Sequence, residues 1–344
     1  MEERSIGSLR VSSVGLGCNN FGIRLDQTGT DNVVHAALDH GITFFDTSNT
    51  YGETQSEVFL GRALGARRAS ISIASKFGMG LDERFPDIKW SAHPDYVASA
   101  CEASLRRLGT DHIDLYQLHF PDAATPLEDT ITALQSLVAA GKIREFGCSN
   151  FDAASLRSAH VAALGQQPFR SVQNQYSLLA RDPEDGVLAA CDELGLGLLP
   201  YYPLANGMLT DKFVPGAPPA EGTRLAKLPE NRRGHWLGEE MVDRASAVHT
   251  FARSINTPVL TLAFSWLLSH PQVSSVIAGA SNAEQISANV AAVRALSPEV
   301  IAELNRLTAS RRQTSPVQRT RHRIRHTPRG VDGTGAPIQV RLSC

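Results

Sequence analysis

Short apolar stretches alternate with segments of helical periodicity along most of this 344-residue sequence. The predicted strands cover residues 11–17, 42–45, 70–75, 113–118, 143–148, 171–175, 196–200 and 273–278. Apolar strands that alternate with helices are typical of a parallel sheet covered by helices. Eight such units can close on themselves, so the alternation predicts an α/β fold, a (β/α)8 TIM barrel. A doubly wound open sheet is the alternative, which we disfavour because no GxGxxG motif follows the first strand.

The predicted helices fill the intervals between these strands, and several of them end at a glycine. They cover residues 30–40, 56–64, 96–108, 126–140, 153–163, 186–194, 244–256, 261–270, 283–296 and 298–308, whereas residues 205–240 are predicted to form a long loop. We expect a single barrel domain over residues 1–310. Residues 311–344 hold eight arginines and one acidic residue without apolar periodicity. For this segment we expect a disordered tail rather than a specific nucleic-acid or membrane-binding arm.

Composition narrows the class of protein further. The hydrophobic fraction of 42% and the charged fraction of 20% are typical of globular proteins. No run of about 18 apolar residues is present, and residues 1–4 lack the pattern of a signal peptide. The five cysteines form no CxxC pair, and the net charge is −2. We therefore expect a cytoplasmic protein without a membrane segment, a nucleic-acid partner or a metal site.

Polar residues stand at the end of each predicted strand. They are Cys18 and Asn19, Asp46, Lys76, His119, Ser149 and Asn150, Gln173, Tyr201, and the stretch 279–281. A lone histidine is more often a hydrogen-bonded core residue, and a lone Asp–Lys pair is more often a structural ion pair. In a barrel, however, the carboxyl ends of all strands meet at the rim that carries the active site. The joint placement of these residues therefore predicts an active site.

Three of these side chains, together with Tyr51 on the loop after Asp46, indicate a proton-transfer chemistry. A phenol such as Tyr51 has a reference pKa of about 10, and a neighbouring Lys76 ammonium is expected to lower it. Asp46 can pair with Lys76 and hold it, while His119 can donate a hydrogen bond to a substrate oxygen. Tyr51 could then give a proton to a carbonyl oxygen or take one from an alcohol. The hydride itself would have to come from a diffusible donor.

The sequence resembles the aldo-keto reductases over essentially residues 4–308. The matching stretches include Val14-Gly-Leu-Gly17, Gly41-Ile-Thr-Phe-Phe-Asp-Thr-Ser48, Thr50-Tyr51-Gly52, Ala74-Ser-Lys76, Ile113-Asp-Leu-Tyr-Gln-Leu-His119, Gly147-Cys-Ser-Asn150, Val172-Gln-Asn-Gln-Tyr176, Tyr201-Tyr-Pro-Leu-Ala205 and Gly279-Ala-Ser-Asn282. Within the family the chain resembles a microbial and channel-β-subunit-like branch with a short C-terminal loop. The resemblance implies a barrel that binds NADP(H) and a catalytic tetrad of Asp46, Tyr51, Lys76 and His119.

The resemblance also implies a set of cofactor contacts. Ser149, Asn150 and Gln173 would hold the nicotinamide carboxamide, and Tyr201 would stack on the ring. The full implied set is Gly17, Cys18, Asn19, Asp46, Ser149, Asn150, Gln173, Tyr201, Tyr202, Pro203, Leu204, Gly207, Lys212, Arg224, Gly279, Ser281, Gln285 and Asn289. Many NADP-specific members carry a basic residue where this chain has Asn282 or Gln285. NAD(H) therefore stays open as a second cofactor.

The expected substrate is a small carbonyl compound: a sugar, a keto-sugar or an aromatic carbonyl. The candidate pocket residues are Phe21, Phe77, Trp90 and Phe120, with Tyr202 narrowing the pocket and Trp236 as a further candidate. We expect a monomer or a weak homo-oligomer. Three alternatives stay open: a non-catalytic cofactor-sensing subunit, an enzyme that works in the direction of alcohol or aldose oxidation, and a Schiff-base aldolase with Lys76 as the nucleophile.

Overall fold

The computed structural model of the protein describes residues 1–79 and 91–309. Met1–Thr308 form one compact unit. Trp90 and the arginine-rich residues 311–344 lie outside the described residues, so the predictions made for them stay predictions.

The strands of this unit form a small hairpin and a large parallel sheet. In chain order they are β1 (Glu3–Ile6), β2 (Leu9–Ser12), β3 (Val14–Gly17), β4 (Phe44–Asp46), β5 (Ser72–Phe77), β6 (Ile113–Leu118), β7 (Ile143–Ser149), β8 (Ser171–Gln175), β9 (Gly197–Tyr201) and β10 (Val276–Gly279). From β3 to β9 each strand pairs in parallel with the next strand of the chain, and β10 pairs with β3.

The two ends of the parallel sheet meet through the backbone just before β10. The Leu198 amide donates to the Gln272 carbonyl at 2.7 Å, and the Ser274 amide donates to the Leu198 carbonyl at 2.9 Å. These bonds bring β9 beside β10 and nearly close the eight-stranded sheet into a barrel. The predicted (β/α)8 barrel is therefore confirmed.

Helices cover the outside of the barrel. They are α1 (Gln27–Asp39), α2 (Gln55–Leu64), α3 (Pro94–Leu108), α4 (Leu127–Ala139), α5 (Ala153–Ala162), α6 (Val187–Leu194), α7 (Glu230–Trp236), α8 (Glu239–Ser254), α9 (Val259–Leu268), α10 (Ala283–Ala291) and α11 (Pro298–Thr308). Their buried faces join the outward side chains of the strands in one hydrophobic cluster, which includes Val33, Leu134 and Phe264. Within residues 1–79 and 91–309, no helix combines the length and the apolar character that crossing a membrane requires.

An N-terminal hairpin, which the sequence analysis did not predict, covers one end of the barrel. The prediction of a single strand over residues 11–17 is wrong, because the structure divides this segment between β2 and β3. Ile6, Leu9 and Val11 of the hairpin pack with inward side chains of the barrel strands, namely Phe44, Ala74, Leu115, Leu199 and Ile277. The strand direction places this plug at the end of the barrel opposite the rim that carries the predicted site.

Several predicted helix boundaries differ from the structure, and helix α8 starts five residues before the predicted start at residue 244. Helix α1 starts earlier than predicted, because the Asp26 carboxylate accepts a hydrogen bond from the Gly29 amide and caps the helix at Asp26. The predicted loop 205–240 contains helix α7, whose Trp236 is buried in the core. Helix α10 ends at Ala291, five residues before the predicted end at residue 296.

Candidate active site

A cavity of about 750 Å³ lies where the barrel strands end. The predicted cofactor residues that line it are Gly17, Asn19, Asp46, Ser149, Asn150, Gln173, Tyr201, Tyr202, Pro203, Leu204, Gly207, Lys212, Arg224, Gly279, Ser281, Gln285 and Asn289. Tyr51, His119 and Phe120 line it as well. The tertiary structure therefore brings together, around one cavity, residues that lie up to 272 positions apart in the sequence.

Lys76 forms the centre of a buried hydrogen-bond network behind the cavity wall. Its ammonium nitrogen donates to both carboxylate oxygens of Asp46, at 2.8 and 2.7 Å, and to the carbonyl of Thr47 at 2.9 Å. It also lies 3.2 Å from the hydroxyl oxygen of Tyr51. The Lys76 side chain is fully buried, so its charge can be kept only by partners of this kind. The ammonium thereby connects the carboxylate to the phenol.

Asp46 is held from three other strands of the barrel. Lys76 on β5 is its ion-pair partner, Gln173 on β8 donates its amide to Oδ1 at 2.8 Å, and Gln117 on β6 donates to the same oxygen at 3.4 Å. The sequence analysis did not single out Gln117. Its only sequence signal is an amide near the end of a predicted strand.

The environment of Tyr51 keeps its phenol protonated. Burial raises the pKa of Tyr51, the Lys76 ammonium opposes this effect, and the Asp46 carboxylate adds to it. Lys76 lowers the Tyr51 pKa, as predicted, but the net shift is upward. The cause is desolvation, which outweighs the lysine in this narrow site. At neutral pH Tyr51 therefore keeps its proton.

Lys76 stays charged in spite of its burial. Desolvation lowers the pKa of Lys76, but the charges and hydrogen bonds of Asp46 and Tyr51 raise it more, and the net shift is upward. A protonated lysine has no lone pair with which to attack a carbonyl group. This protonation state argues against the Schiff-base alternative.

The turn after β4 fixes the position of Tyr51. The Tyr51 amide donates to the Ser48 carbonyl at 3.3 Å, and Gly52 follows with a φ of +59°. A Cβ atom at Gly52 would lie 2.5 Å from the Phe21 carbonyl oxygen, so only glycine fits between the two loops. The ammonium of Lys76 lies 4.8 Å from the centre of the Tyr51 ring.

His119 stands beside Tyr51 as a neutral imidazole. Its ring stacks on Phe120, with a centroid distance of 5.1 Å, and meets Tyr51 edge-on at 6.2 Å. Removal of water and the Lys76 charge lower the pKa of His119 to about 3. Its Nδ1 atom lies 3.4 Å from the Ser48 hydroxyl oxygen, so Nε2 is the ring nitrogen that is free for a ligand.

The residues expected at the nicotinamide carboxamide form a connected polar group. Ser149 donates its hydroxyl to the Gln173 carbonyl at 2.6 Å, and Asn150 donates its amide to the His119 carbonyl at 2.9 Å. The Tyr201 hydroxyl donates to the Asn150 side-chain oxygen at 2.9 Å. This bond fixes the plane of the Tyr201 ring at the cavity wall. Asn150 has a φ of +63°, a left-handed conformation that asparagine tolerates better than most residues.

The loop after β9 forms the basic wall of the cavity. The Arg224 guanidinium lies 4.8 Å above the ring centre of Tyr202, an arrangement typical of a cation–π contact. Lys212 and Arg24 line the same cavity. Burial lowers the pKa of Arg24, and the nearby positive charge of Arg224 lowers it further. Sequence reasoning missed Arg24, because a single arginine in a loop carries no motif.

The far end of the cavity lies at the start of helix α10. Asn282 caps this helix by accepting a hydrogen bond from the Gln285 amide at 3.0 Å. The Gln285 side-chain oxygen in turn accepts from the Ser281 amide at 2.9 Å. This end is polar, and its lining residues 281, 285, 288 and 289 are uncharged.

Besides Lys76, four predicted residues among the described ones do not line the cavity: Cys18, Phe21, Phe77 and Trp236, the last of which is buried in the core. Phe21 and Cys18 are fully buried, and Phe77 is buried in a stack on Tyr116 with a centroid distance of 4.8 Å. These side chains support the site from behind. Of the four predicted substrate-pocket aromatics, Phe120 lines the cavity, and Trp90 lies outside the described residues.

Comparisons with known proteins agree with this fold. Residues 13–309 match the aldo/keto reductase family. A relative from Glycine max, described as probable aldo-keto reductase 1, is 32% identical over 288 residues, which are 82% of this chain and 81% of the relative.

Two solved structures share the architecture. The holo form of aldo-keto reductase AKR11C1 from Bacillus halodurans is 30% identical with a TM-score of 0.75, over 89% of this chain and 96% of that chain. The glycerol dehydrogenase AKR11B4 from Gluconobacter oxydans is 26% identical with a TM-score of 0.76, over 92% and 98% of the two chains. The chain therefore belongs to the aldo/keto reductase family of oxidoreductases.

Proposed function

We propose that this oxidoreductase reduces an aldehyde or ketone to an alcohol with NADP(H), and that Tyr51 is the general acid. The observation that carries the proposal is the position of the Lys76 ammonium, which contacts both the Asp46 carboxylate and the Tyr51 hydroxyl at the cavity wall. A protonated phenol held in this way can donate its proton to a carbonyl oxygen that gains negative charge.

The cavity fits a dinucleotide with phosphate groups. Its volume lies within the range of small-molecule and cofactor sites. Arg24, Lys212 and Arg224 line it, and within the described residues none of them forms an ion pair with a carboxylate. The side-chain oxygen of Asn206, also on the cavity wall, is buried and lacks a hydrogen-bond partner among the described residues. A ligand hydroxyl or amide would satisfy this oxygen.

Different residues along the cavity would hold different parts of the cofactor. Ser149, Asn150 and Gln173 would hold the carboxamide of a bound nicotinamide, and Tyr201 would lie against its ring. The cofactor would then run toward its phosphates along Gly17 and Asn19 of the first strand end and along the loop residues Tyr202, Pro203, Leu204, Gly207, Lys212 and Arg224. Cys18, which is buried behind this wall, would support it without contact. Gly279, Ser281, Gln285 and Asn289 would hold the adenosine end. When bound, the cofactor supplies the hydride.

The side chains of the tetrad then control the proton and the carbonyl. His119 would donate from Nε2 to the carbonyl oxygen and orient it, because the ring is neutral and carries a single N–H. Tyr51 would deliver its proton to the same oxygen. Lys76 would stabilise the phenolate that remains, and Asp46 would keep Lys76 charged and in place. Phe120, which stacks on His119 and is partly exposed, would contact the substrate body.

The same residues can run the reaction in reverse. The name of the Gluconobacter oxydans structure, a glycerol dehydrogenase, favours a test of alcohol oxidation. In that direction Tyr51 must first lose its proton, which its raised pKa disfavours at neutral pH. The protonated Tyr51 already holds the proton that carbonyl reduction requires, and we propose this direction at neutral pH. We further propose small-molecule substrates, a cytoplasmic location and a preference for NADP(H) over NAD(H).

The decisive experiment replaces Tyr51 by phenylalanine. NADPH consumption should be measured on a panel of aldoses, keto-sugars and aromatic aldehydes, and NADPH binding by fluorescence titration. We expect Tyr51→Phe to lose turnover by about a thousandfold or more while NADPH still binds, since the general acid contributes about this much.

Tyr116→Phe is the matched control for this experiment. Tyr116 is a buried phenol on β6 whose hydroxyl has no hydrogen-bond partner in the described structure, and it does not line the cavity. This variant should keep normal turnover. Normal turnover by Tyr51→Phe would refute the assignment, whereas a wild-type protein that binds NADPH but reduces nothing on the panel would favour the cofactor-sensing alternative.

A further inference from the structure

The chemistry of His119 depends on which ring nitrogen carries its proton. A neutral imidazole has one donor and one acceptor nitrogen, and the hydrogen bond at one nitrogen decides the role of the other. To donate to a carbonyl oxygen from Nε2, the ring must accept a hydrogen bond, or stand bare, at Nδ1. The inference below rests on the proposed role of His119.

Ser48 is the polar side chain at Nδ1. Its hydroxyl oxygen lies 3.4 Å from Nδ1 of His119, and the serine is fully buried. The Thr50 amide donates to the same oxygen at 3.3 Å, and the Thr50 hydroxyl lies 3.1 Å away. Ser48 therefore receives one backbone hydrogen bond, and its own proton can be directed elsewhere.

The backbone of His119 and one face of its ring are held by neighbouring residues. Its amide donates to the Phe77 carbonyl at 2.9 Å, and its carbonyl accepts from the Asn150 side chain at 2.9 Å. Phe120 stacks on one face of the ring with an interplanar angle of 13°. With the ring held in this way, the tautomer is the remaining variable.

We propose that Ser48 is a positioning residue that donates its hydroxyl proton to Nδ1 of His119 and thereby keeps the N–H of the imidazole on Nε2, directed into the cavity. Ser48 does not touch the substrate. It acts through His119, because the imidazole ring then presents an N–H rather than a lone pair to the carbonyl oxygen. A lone pair at that point would repel the oxygen lone pairs and prevent productive orientation.

In a competing arrangement, the hydrogen bond between Ser48 and His119 runs in the opposite direction. The side-chain oxygen of Asn49 lies 3.3 Å from the Ser48 hydroxyl and can accept its proton. Nδ1–H of His119 would then donate to Ser48, and Nε2 would face the cavity as an acceptor. The two arrangements differ in one observable, the nitrogen that carries the proton.

The first test is a measurement on the wild-type protein. Long-range ¹H–¹⁵N correlation spectra of protein labelled on histidine nitrogen show which nitrogen is protonated, and the His119 signals can be assigned by their absence in His119→Gln. We expect the proton on Nε2. A proton on Nδ1 in the wild type overturns the inference, and this result does not depend on turnover or on the success of any variant.

The second test compares Ser48→Ala with Thr50→Val. Thr50→Val removes the hydroxyl that lies 3.1 Å from the Ser48 hydroxyl, but it leaves the Ser48 proton donor in place. We expect Ser48→Ala to shift part of the His119 proton to Nδ1 and to lower kcat/KM by about fivefold, the equivalent of one ordinary hydrogen bond. NADPH affinity should stay within about twofold for both variants, and Thr50→Val should keep the wild-type tautomer and kcat/KM.

The outcomes separate this inference from the proposed function. A Nε2 proton that moves in Ser48→Ala supports the inference even if the protein turns over no carbonyl, in which case the proposed function fails alone. An unchanged His119 tautomer in a folded Ser48→Ala overturns the inference while Tyr51→Phe still tests the reaction. An equal loss of kcat/KM in both variants also overturns it, because the effect would then come from the turn as a whole.

Discussion

Lowering the pH from about 7.5 to about 5 should destabilise the folded protein through His119 by about 2 kcal/mol. The folded protein holds this imidazole neutral, with its pKa lowered to about 3 from an ordinary 6.5. The unfolded chain exposes the same ring to water, where it takes up a proton below about pH 6.5. Because the unfolded chain binds this proton more tightly than the folded protein does, a fall in pH favours unfolding.

The sign and the size follow from this difference. The contribution of a group whose folded pKa is lowered is fully present above the unfolded pKa and is lost progressively as the pH falls toward the folded pKa. At about pH 5 the unfolded pKa lies about 1.5 units above the pH, and each unit is worth about 1.36 kcal/mol, which gives about 2 kcal/mol. At this pH the size depends little on the folded pKa, provided that it lies below about 4.

The assay is urea unfolding at the two pH values, followed by circular dichroism, for the wild type and for His119→Gln. Other groups also respond to acid. The informative quantity is therefore the acid-induced loss in the free energy of unfolding, compared between the wild type and the variant. We expect the variant to lose about 2 kcal/mol less than the wild type. The matched control is His160→Gln, which removes an exposed imidazole at the end of helix α5 and should lose as much as the wild type.

Two results would refute this reasoning. One is an equal acid-induced loss in wild type and His119→Gln, to within about 0.5 kcal/mol, the usual scatter of such differences. The other is an NMR titration in which the His119 ring of the folded protein becomes protonated near its ordinary pKa. Either result would mean that water reaches the ring, and the neutral donor at the cavity wall would lose its physical basis.

Two further predictions concern the residues that hold the tetrad. Asp46→Asn leaves the fully buried Lys76 ammonium without a counter-charge and should lower the free energy of unfolding by about 3 kcal/mol, measured by urea unfolding at neutral pH; a loss below about 1 kcal/mol would show that the pair is not desolvated. Gly52→Ala should destabilise the protein by about 3 kcal/mol and reduce turnover through displacement of Tyr51, because the new Cβ would lie 2.5 Å from the Phe21 carbonyl oxygen. The control Gly41→Ala has a similar positive φ of +78° but no atom within 4 Å of the new Cβ, so it should lose only about 1 kcal/mol and keep full turnover.

The helix and strand pattern was predictable to different degrees along the chain. The barrel strands from β4 onward are short, apolar and fully flanked by helical segments, so their periodicity located them to within a few residues. The hairpin of β1 and β2 was missed, because Glu3–Ile6 carries only one buried residue and gives no clear strand pattern. Helix α7 was missed because the surrounding segment is rich in proline and glycine.

The sequence predicted which residues form the candidate site, but it did not predict their protonation states. Strand-end position and the family resemblance identified Asp46, Tyr51, Lys76 and His119, and the structure connects them. Gln117 and Ser48 were not identified, because an amide in a strand and a serine after one are common and become informative only beside Asp46 and His119. Phe21 and Phe77 were expected at the substrate, but the structure directs them into the core.

The sequence by itself therefore determined the architecture and the inventory of the site. Alternating apolar strands and amphipathic helices can bury their surfaces efficiently in few ways, and the direction of parallel strands brings the strand-end residues to one rim. Only the tertiary structure decided the protonation states. Burial raises the pKa of Tyr51 against the effect of the Lys76 charge, and burial together with that charge lowers the pKa of His119. Both effects depend on which atoms exclude water in three dimensions, which the order of residues does not contain.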